Sequence, residues 1–183
     1  MDRMFVPRVL TQNQKDSRLA ICEELKETVI NELTLLLNVI TGDENPVYAY
    51  YLVRKLQSSQ WKSPGSPRLK KARMQKSKFK TMLICFFDQE GIVHREFVPP
   101  GMTVNADFYC DVLRLRENVR CKRPQKWQNQ NLIIHHDNAL AHRSFNVSQF
   151  LAKNNMTVMP HPPYSPDLAP CDFFLFSKLK LQI

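Results

Sequence analysis

The stretch "LIIHHDNALAH", residues 132–142, decides the fold class of this chain. Its opening residues are large and apolar without alternation, which is typical of a strand buried on both faces of a sheet. The strand then runs directly into the carboxylate of Asp137. Two interpretations follow: Asp137 closes a simple Asx turn, or the strand holds this carboxylate at a functional site.

The segments around this strand combine helical and strand patterns. Thr11, with Gln14 three residues later, predicts the start of a helix. Apolar runs on either side of Gly91 predict a β-hairpin. The remaining predictions are helices within 103–124, 144–155 and 164–183 and strands within 47–53 and 156–163. This order predicts an α/β fold in which helices flank a mixed sheet.

Length and composition limit the classes of protein to which the chain can belong. It has 183 residues, of which 43% are hydrophobic, and this is enough for one domain with its own core. The apolar runs are shorter than the roughly 18 residues that a membrane span needs. The first residues also lack the apolar region of a signal peptide. We therefore expect neither a membrane nor a secretory context.

Positive charge is concentrated in one segment. The chain carries a formal net charge of +9, yet no acidic residue occurs between Glu44 and Asp88. A block of one sign repels itself and favours a polyanion, so we expect a long basic loop at residues 56–80 that binds nucleic acid. A solvated loop or a nuclear-import signal is the alternative. The expected DNA-binding residues are Lys62, Arg68, Lys70, Lys71, Arg73, Lys76, Lys78 and Lys80.

Three aspartates stand where an apolar element is expected to meet a turn: Asp43, Asp137 and Asp172. Ligands of open α/β sheets gather at the carboxyl ends of strands, where these side chains could converge. Hard oxygen donors suit Mg²⁺ or Mn²⁺, and paired ions of this kind promote phosphodiester displacement. Each aspartate also has a simpler interpretation, as a turn residue, an Asx turn or a helix N-cap. Asp167 competes with Asp172 for the third position.

Four histidines and a cysteine raise the alternative of a zinc site. Their spacing follows no zinc-ligand pattern, and no pair of cysteines separated by two residues supports one. If the strand continues through His135 and His136, their side chains point to opposite faces, and at most one shares a cavity with Asp137. The residues in question are His135, His136, His142, His161 and Cys171.

Five motifs in the same order resemble the catalytic domain of mariner transposases. They are "TGDE" (41–44), "SSQWKSPGSPRLKKAR" (58–73), "TMLICFFDQEGIVHREFVPPG" (81–101), "HHDNALAH" (135–142) and "PHPPYSPDLAPCDFFLFSKLK" (160–180). The resemblance implies an RNase H-like fold and places the catalytic, metal-binding aspartates at Asp43, Asp137 and Asp172. Thirty-four residues separate Asp137 from Asp172, the spacing that names the mariner group. This count favours Asp172 over Asp167.

The resemblance also implies a function. It implies ancestral metal-dependent DNA strand cleavage and transfer with two Mg²⁺ or Mn²⁺ ions, a homodimer, no small-molecule substrate, and a nuclear location with the cytoplasm as the second choice. Residues 1–40 would be a linker and helix, and residues 41–183 a catalytic core. The family's N-terminal helix-turn-helix modules and C-terminal helices are expected to lie outside this chain. A non-catalytic DNA- or protein-binding module, or a relic with no selected role, is the alternative.

Overall fold

A computed structural model describes residues 9–49, 61, 63–67, 77, 79–113, 116–128 and 132–182. The predicted basic loop, residues 56–80, lies mostly outside this described part. Within the described part, no helix is both long and apolar enough to cross a membrane.

The chain begins its regular structure with α1, Gln12–Asn31, which is followed by the short α2, Leu35–Asn38. The predicted capping box is confirmed: the Thr11 hydroxyl accepts from the Gln14 backbone, and the Gln14 side chain accepts from the Thr11 backbone. No residue of α1 is fully buried. The guanidinium of Arg18 in α1 pairs with Asp167, far along the chain. Asp167, the competitor for the third catalytic position, is therefore engaged by this arginine.

In the part of the chain that the structure describes, five strands form one sheet in the order β3-β2-β1-β4-β5. The first three pair antiparallel, whereas β1 pairs with β4, and β4 with β5, in parallel. The strands are β1, Val39–Tyr48; β2, Lys80–Asp88; β3, Gly91–Val98; β4, Leu132–His135; and β5, Met156–Val158. The mixed sheet is thus confirmed, as are the hairpin of β2 and β3 and the wholly buried β4.

Helices connect the later strands, and further helical segments follow the last one. The helical pattern within 103–124 predicts a single helix, but α3 ends at Val112 and α4 begins only at Arg116. Asn105 and Ser144 cap α3 and α6 through their side-chain oxygens. These elements are α3, Ala106–Val112; α4, Arg116–Lys122; α5, Pro124–Gln128; α6, Phe145–Lys153; and α7, Ser177–Gln182, with a 3₁₀ turn at Pro166–Leu168 and a π-helical segment at Cys171–Phe176.

The sheet separates two apolar layers. The larger layer joins alternate residues of the central strands, such as Ile40 and Ile84, to Tyr109 of α3 and Leu151 of α6. The smaller layer packs Cys85 of β2 against Cys171 and Phe176 of the π-helical segment. Because side chains alternate along β1, neighbouring residues of this strand face different layers. This alternation determines where Asp43 and the residue after it can reach.

Candidate active site

Asp43 lies inside β1, so the expectation that a turn begins at this residue is wrong. The segment "TGDENP" is rich in turn-forming residues, but β2 pairs with β1 along its length, from Thr41 opposite Phe87 to Tyr48 opposite Lys80. Pairing with a neighbouring strand satisfies the backbone of this segment and overrides its local preference. Asp43 therefore projects from the middle of a central strand.

Asp137 follows β4 and reaches the same level of the sheet as Asp43. The parallel register sets Thr41 beside His135, and the two aspartates each lie two residues further along. Asp137 Oδ1 accepts a bond from the Ala139 backbone at 2.9 Å, so the Asx turn is confirmed. The side chain is nevertheless 45% exposed. The turn and a functional role are thus compatible at Asp137.

Asp172 is brought to β1 by its neighbour Cys171. The Cys171 thiol is buried and lies 3.9 Å from both the Thr41 hydroxyl and the Cys85 carbonyl oxygen. Asp172 is the second residue of the π-helical segment, and Pro170 occupies the N-cap position. The alternative of an N-cap role for Asp172 is therefore wrong, because the helical segment has already begun before it.

The three carboxylates influence one another electrostatically. The pKa of Asp43 is raised to about 8, first by burial and then by repulsion from Asp172, with smaller contributions from Glu44 and Asp137. Burial also raises the pKa of Asp172, opposed by Lys180 and assisted by Asp137. A cluster of anions that repel one another in this way favours the binding of a cation.

The donor set fits a hard divalent cation by its chemistry. Asp43, Asp137 and Asp172 offer carboxylate oxygens, the ligand type that Mg²⁺ and Mn²⁺ prefer, and a cation would relieve the repulsion that raises the pKa of Asp43. Among the described residues, no three His, Cys, Asp or Glu side chains already enclose an ion-sized space. The carboxylates therefore form an electrostatically coupled group rather than a closed cage.

Two residues that the sequence did not single out for this role support Asp137: His142 contacts it, and Glu44 contacts His142. His142 Nδ1 lies 2.8 Å from Asp137 Oδ1, and His142 Nε2 lies 3.0 Å from Glu44 Oε1. Burial disfavours a charged His142, but hydrogen bonds to Asp137 and Glu44 outweigh burial and raise the pKa of His142 to about 10. Burial would raise the pKa of Asp137, but the hydrogen bond from His142 outweighs burial, and the pKa of Asp137 is lowered. The sequence signal was the motif "TGDE", in which alternation sends Glu44 to the face opposite Asp43.

The other histidines of the zinc alternative bond to protein groups on the two faces. His135 Nδ1 lies 3.2 Å from the Thr41 hydroxyl, and His135 Nε2 lies 3.1 Å from His161 Nδ1. His136 Nδ1 instead lies 2.7 Å from the Tyr109 hydroxyl. Burial lowers the pKa of both His135 and His136 to about 4, so both rings are neutral at pH 7. The prediction that the two side chains diverge is confirmed.

The expected DNA-binding residues fall largely outside the described part of the chain. Lys80 is described: it is the exposed first residue of β2 and lines a cavity of about 510 Å³ together with Glu44 and His142. The others, Lys62, Arg68, Lys70, Lys71, Arg73, Lys76 and Lys78, lie outside the described residues.

Comparisons with known proteins identify relatives of this chain. A family model described as "Transposase (partial DDE domain)" matches residues 51–129. The mariner Mos1 transposase of Drosophila mauritiana is 33% identical over 177 residues, which cover 96% of this chain and 50% of that protein. The chain thus spans about half the length of this curated relative.

Solved structures match the fold as well as the sequence. A Mos1 transposase paired-end complex with the left transposon end matches with a TM-score of 0.85 and 33% identity, covering 100% of this chain and 52% of that one. The catalytic domain of Mos1 mariner transposase matches with a TM-score of 0.76 and 30% identity, covering 97% of this chain and 75% of that domain. The expected RNase H-like fold is therefore confirmed. The chain belongs to the mariner transposase family, and the part of the family that it matches is the catalytic domain.

Proposed function

We propose that this chain is the catalytic core of a transposase that cuts DNA strands and transfers them with the help of divalent metal ions. The observation that carries the proposal is the grouping of Asp43, Asp137 and Asp172, in which burial first and then repulsion from Asp172 raise the pKa of Asp43 to about 8. The grouping occurs in a chain that is 30% identical to the Mos1 catalytic domain. Clustered carboxylates with shifted pKa values are candidates for function on physical grounds.

In this proposal the three aspartates hold the ions. Asp43 is supplied by a central strand and Asp137 by the turn after β4, which fixes their separation through the parallel register. Asp172 is supplied by the π-helical segment that Cys171 anchors. When bound, such ions activate a water or a 3′-hydroxyl and stabilise the leaving oxygen in phosphodiester displacement. Solved Mos1 structures include paired-end complexes with Mn and with Mg, which supports the choice of ion.

The proposed substrate is DNA. Mos1 has been solved with a transposon end, and the basic segment of this chain between Glu44 and Asp88 carries no acidic residue. Lysines and arginines bind nucleic acid through its phosphates, with release of counterions and strong dependence on salt. Lys80 is the described member of this set, and it lines the same cavity as Glu44 and His142.

The remaining expectations belong to the same proposal. Residues 1–40 act as the linker and helix, and residues 41–183 act as the catalytic core. The chain works on nuclear DNA, as a homodimer. A gel-filtration or light-scattering measurement that found only monomers with DNA bound would remove the dimer from this proposal.

Nicking of supercoiled plasmid DNA tests the proposed activity. With Mn²⁺ we expect conversion to the open-circular form, and we expect Asp137→Asn to slow it by about 100-fold or more, since misplacement at a reacting centre alone costs that much. Asp16→Asn is the matched control, because Asp16 is an exposed aspartate of α1 that bonds to Gln12. Equal nicking by wild type and Asp137→Asn, or nicking that persists in EDTA, would overturn the proposal.

DNA binding is tested separately from cleavage. We expect binding in EDTA to weaken steeply with salt, and the slope to fall when Lys70, Lys71 and Arg73 are changed to Gln. The alternative of a non-catalytic binding module predicts this result together with no nicking in any metal.

A further inference from the structure

The ring of His142 joins two carboxylates that are far apart in sequence. His142 is buried, with 1% of its side chain exposed, and its two ring nitrogens lie 2.8 Å from Asp137 and 3.0 Å from Glu44. A carboxylate can only accept a hydrogen bond, so both ring N–H groups donate. The ring therefore forms a rigid bridge between β1 and the turn that follows β4.

The plane of this ring is fixed from its sides. The His142 ring stacks on His136, with centroids 4.9 Å apart and planes 9° apart, and it lies 4.0 Å from the ring of Tyr109. Its backbone N–H donates to the Ala139 carbonyl at 3.0 Å. Because the neighbouring rings prevent the His142 ring from rotating, the contact with Glu44 determines how closely this ring approaches Asp137.

The two described bonds to the Asp137 side chain end on the same oxygen. Asp137 Oδ1 accepts from Ala139 N and from His142 Nδ1. When one oxygen of a carboxylate is held by two hydrogen bonds, the direction in which its second oxygen points is also fixed. Outer partners that orient a metal-binding side chain in this manner commonly contribute about 10- to 100-fold to metal affinity.

We propose that Glu44 is a positioning residue for Asp137: it holds His142 in place, and His142 fixes Asp137 Oδ1 so that Oδ2 is offered to a metal ion. The inference rests on the proposed function for its metal, but the contact itself exists in the metal-free chain. Glu44 acts through its hydrogen bond with His142, and it is not a ligand of the ion.

Two variants of Glu44 separate reach from charge. Glu44→Gln keeps the length of the side chain and an oxygen that accepts from His142, but it removes the charge. Glu44→Asp keeps the charge but is one methylene too short for the 3.0 Å contact. A positioning role predicts that Gln behaves like wild type and that Asp behaves like Ala. Glu96→Ala is the matched control, because Glu96 makes a comparable contact with His94 on β3.

Nuclear magnetic resonance of the ¹⁵N-histidine-labelled, metal-free chain is the first measurement. In wild type and Glu44→Gln we expect a slowly exchanging His142 Nδ1–H signal, and in Glu44→Asp and Glu44→Ala we expect that signal to broaden or vanish. Glu96→Ala should leave it unchanged. An Nδ1–H signal that survives in both Glu44→Asp and Glu44→Ala overturns the proposal, whether or not the chain binds metal.

Mn²⁺ affinity, followed by electron paramagnetic resonance of free Mn²⁺, is the second measurement. We expect a loss of about 10- to 100-fold in Glu44→Asp and Glu44→Ala, and a much smaller one in Glu44→Gln. Loss in Glu44→Gln but not in Glu44→Asp would mean that charge or direct ligation matters, and would overturn the positioning role. If wild type binds no Mn²⁺ while the His142 Nδ1–H signal is lost in Glu44→Asp and Glu44→Ala, the proposed metal-dependent function is wrong. The positioning of Asp137 by Glu44 through His142 is then still supported.

Discussion

The ring of Phe86 fills the space that a side chain on Gly42 would need. A Cβ atom at Gly42 would lie 2.2 Å from two carbons of the Phe86 ring. The two residues are opposite each other in the β1–β2 register, and Phe86 is fully buried in the larger core layer. The glycine of "TGDE" is thus required by an aromatic ring on the neighbouring strand, one residue before Asp43.

Gly42→Ala should therefore destabilise the chain. We expect a loss of about 1–3 kcal/mol, the usual cost of adding atoms to a filled core, measured by urea unfolding. Gly42→Ala combined with Phe86→Leu should recover part of the loss that Gly42→Ala causes, because the smaller side chain vacates the contested space. Strictly additive effects of the two changes would show that the ring does not exclude a side chain at Gly42.

The stability of the metal-free chain should fall as pH rises through the titration of Asp43. The pKa of Asp43 is raised to about 8 from an ordinary value of 3.8, so between these values the folded chain keeps a proton that the unfolded chain releases. The contribution is fully present below about pH 4 and is lost progressively up to about pH 8. Asp43→Asn should reduce this loss of stability with rising pH, measured by urea unfolding in EDTA.

His142 titrates at higher pH than Asp43, and this difference checks that the loss of stability arises from Asp43. Its pKa is raised to about 10, so its contribution is present below its ordinary 6.5 and is lost only as pH rises from there. The difference in free energy of unfolding between wild type and Asp43→Asn should therefore already change between about pH 4 and 6.5, below the range in which the contribution of His142 is lost. Parallel pH profiles for the two proteins over that interval would contradict a raised pKa at Asp43.

The β2–β3 corner depends on a buried carboxylate, Asp88. Its side chain is 0% exposed and accepts bonds from Arg123 at 2.8 Å and from the ammonium group of Lys126. Burial would raise the pKa of Asp88, but the bonds from Arg123 and Lys126 outweigh burial and lower it to about 2. Asp88→Ala leaves the buried Lys126 and the mostly buried Arg123 without this partner and should cost about 3–5 kcal/mol, with nearby Glu90 keeping the value at the lower end.

Acid titration and a surface control test the role of Asp88. Wild type should lose the Asp88 contribution as pH falls from about 4 to 2, and Asp88→Ala should lack that step. Glu117→Gln removes an exposed pair with Arg120, in which both side chains are more than half exposed, and should cost less than about 1 kcal/mol. A similar cost for both substitutions would show that burial at Asp88 does not matter.

Two helix caps of the same type should differ in their effect on global stability. Ser144 caps α6, whose Val147 and Leu151 are buried in the core, whereas Thr11 caps α1, which has no fully buried residue. Ser144→Ala should lower the free energy of unfolding by about 1 kcal/mol. Thr11→Ala should instead increase hydrogen exchange in the first turn of α1 and leave the unfolding midpoint unchanged. A shift of that midpoint by Thr11→Ala would show that α1 unfolds together with the sheet.

Local patterns in the sequence predicted a large part of this fold. The capping box at Thr11, the β-hairpin around Gly91 and the buried strand ahead of Asp137 each depend on residues within a few positions of one another. The same local information misplaced Asp43, because "TGDENP" favours a turn when considered alone. Only the pairing of β1 with β2 makes that segment a strand, and β2 begins more than thirty residues later.

The contacts around the candidate site were harder to predict than its carboxylates. Glu44 and His142 are 98 residues apart, and nothing in either local segment indicates that they meet. The sequence presented His142 only as a candidate zinc ligand. Its actual partners follow from the parallel pairing of β1 with β4 and from alternation along β1, and both are properties of the assembled sheet.

The π-helical winding of Cys171–Phe176 gives the spacing of residues in this segment a meaning of its own. Its winding is supported by the Ser177 hydroxyl, which donates to the Asp172 carbonyl oxygen five residues back at 2.8 Å. Phe176 is held in the core, and the segment already contains about one residue more per turn than an α-helix, so inserting a further residue between Asp172 and Phe176 would rotate the acid by about 100° about the helix axis. An in-frame insertion of a single codon here would then separate Asp172 from Asp43 and Asp137, although the sequence would still contain all three aspartates.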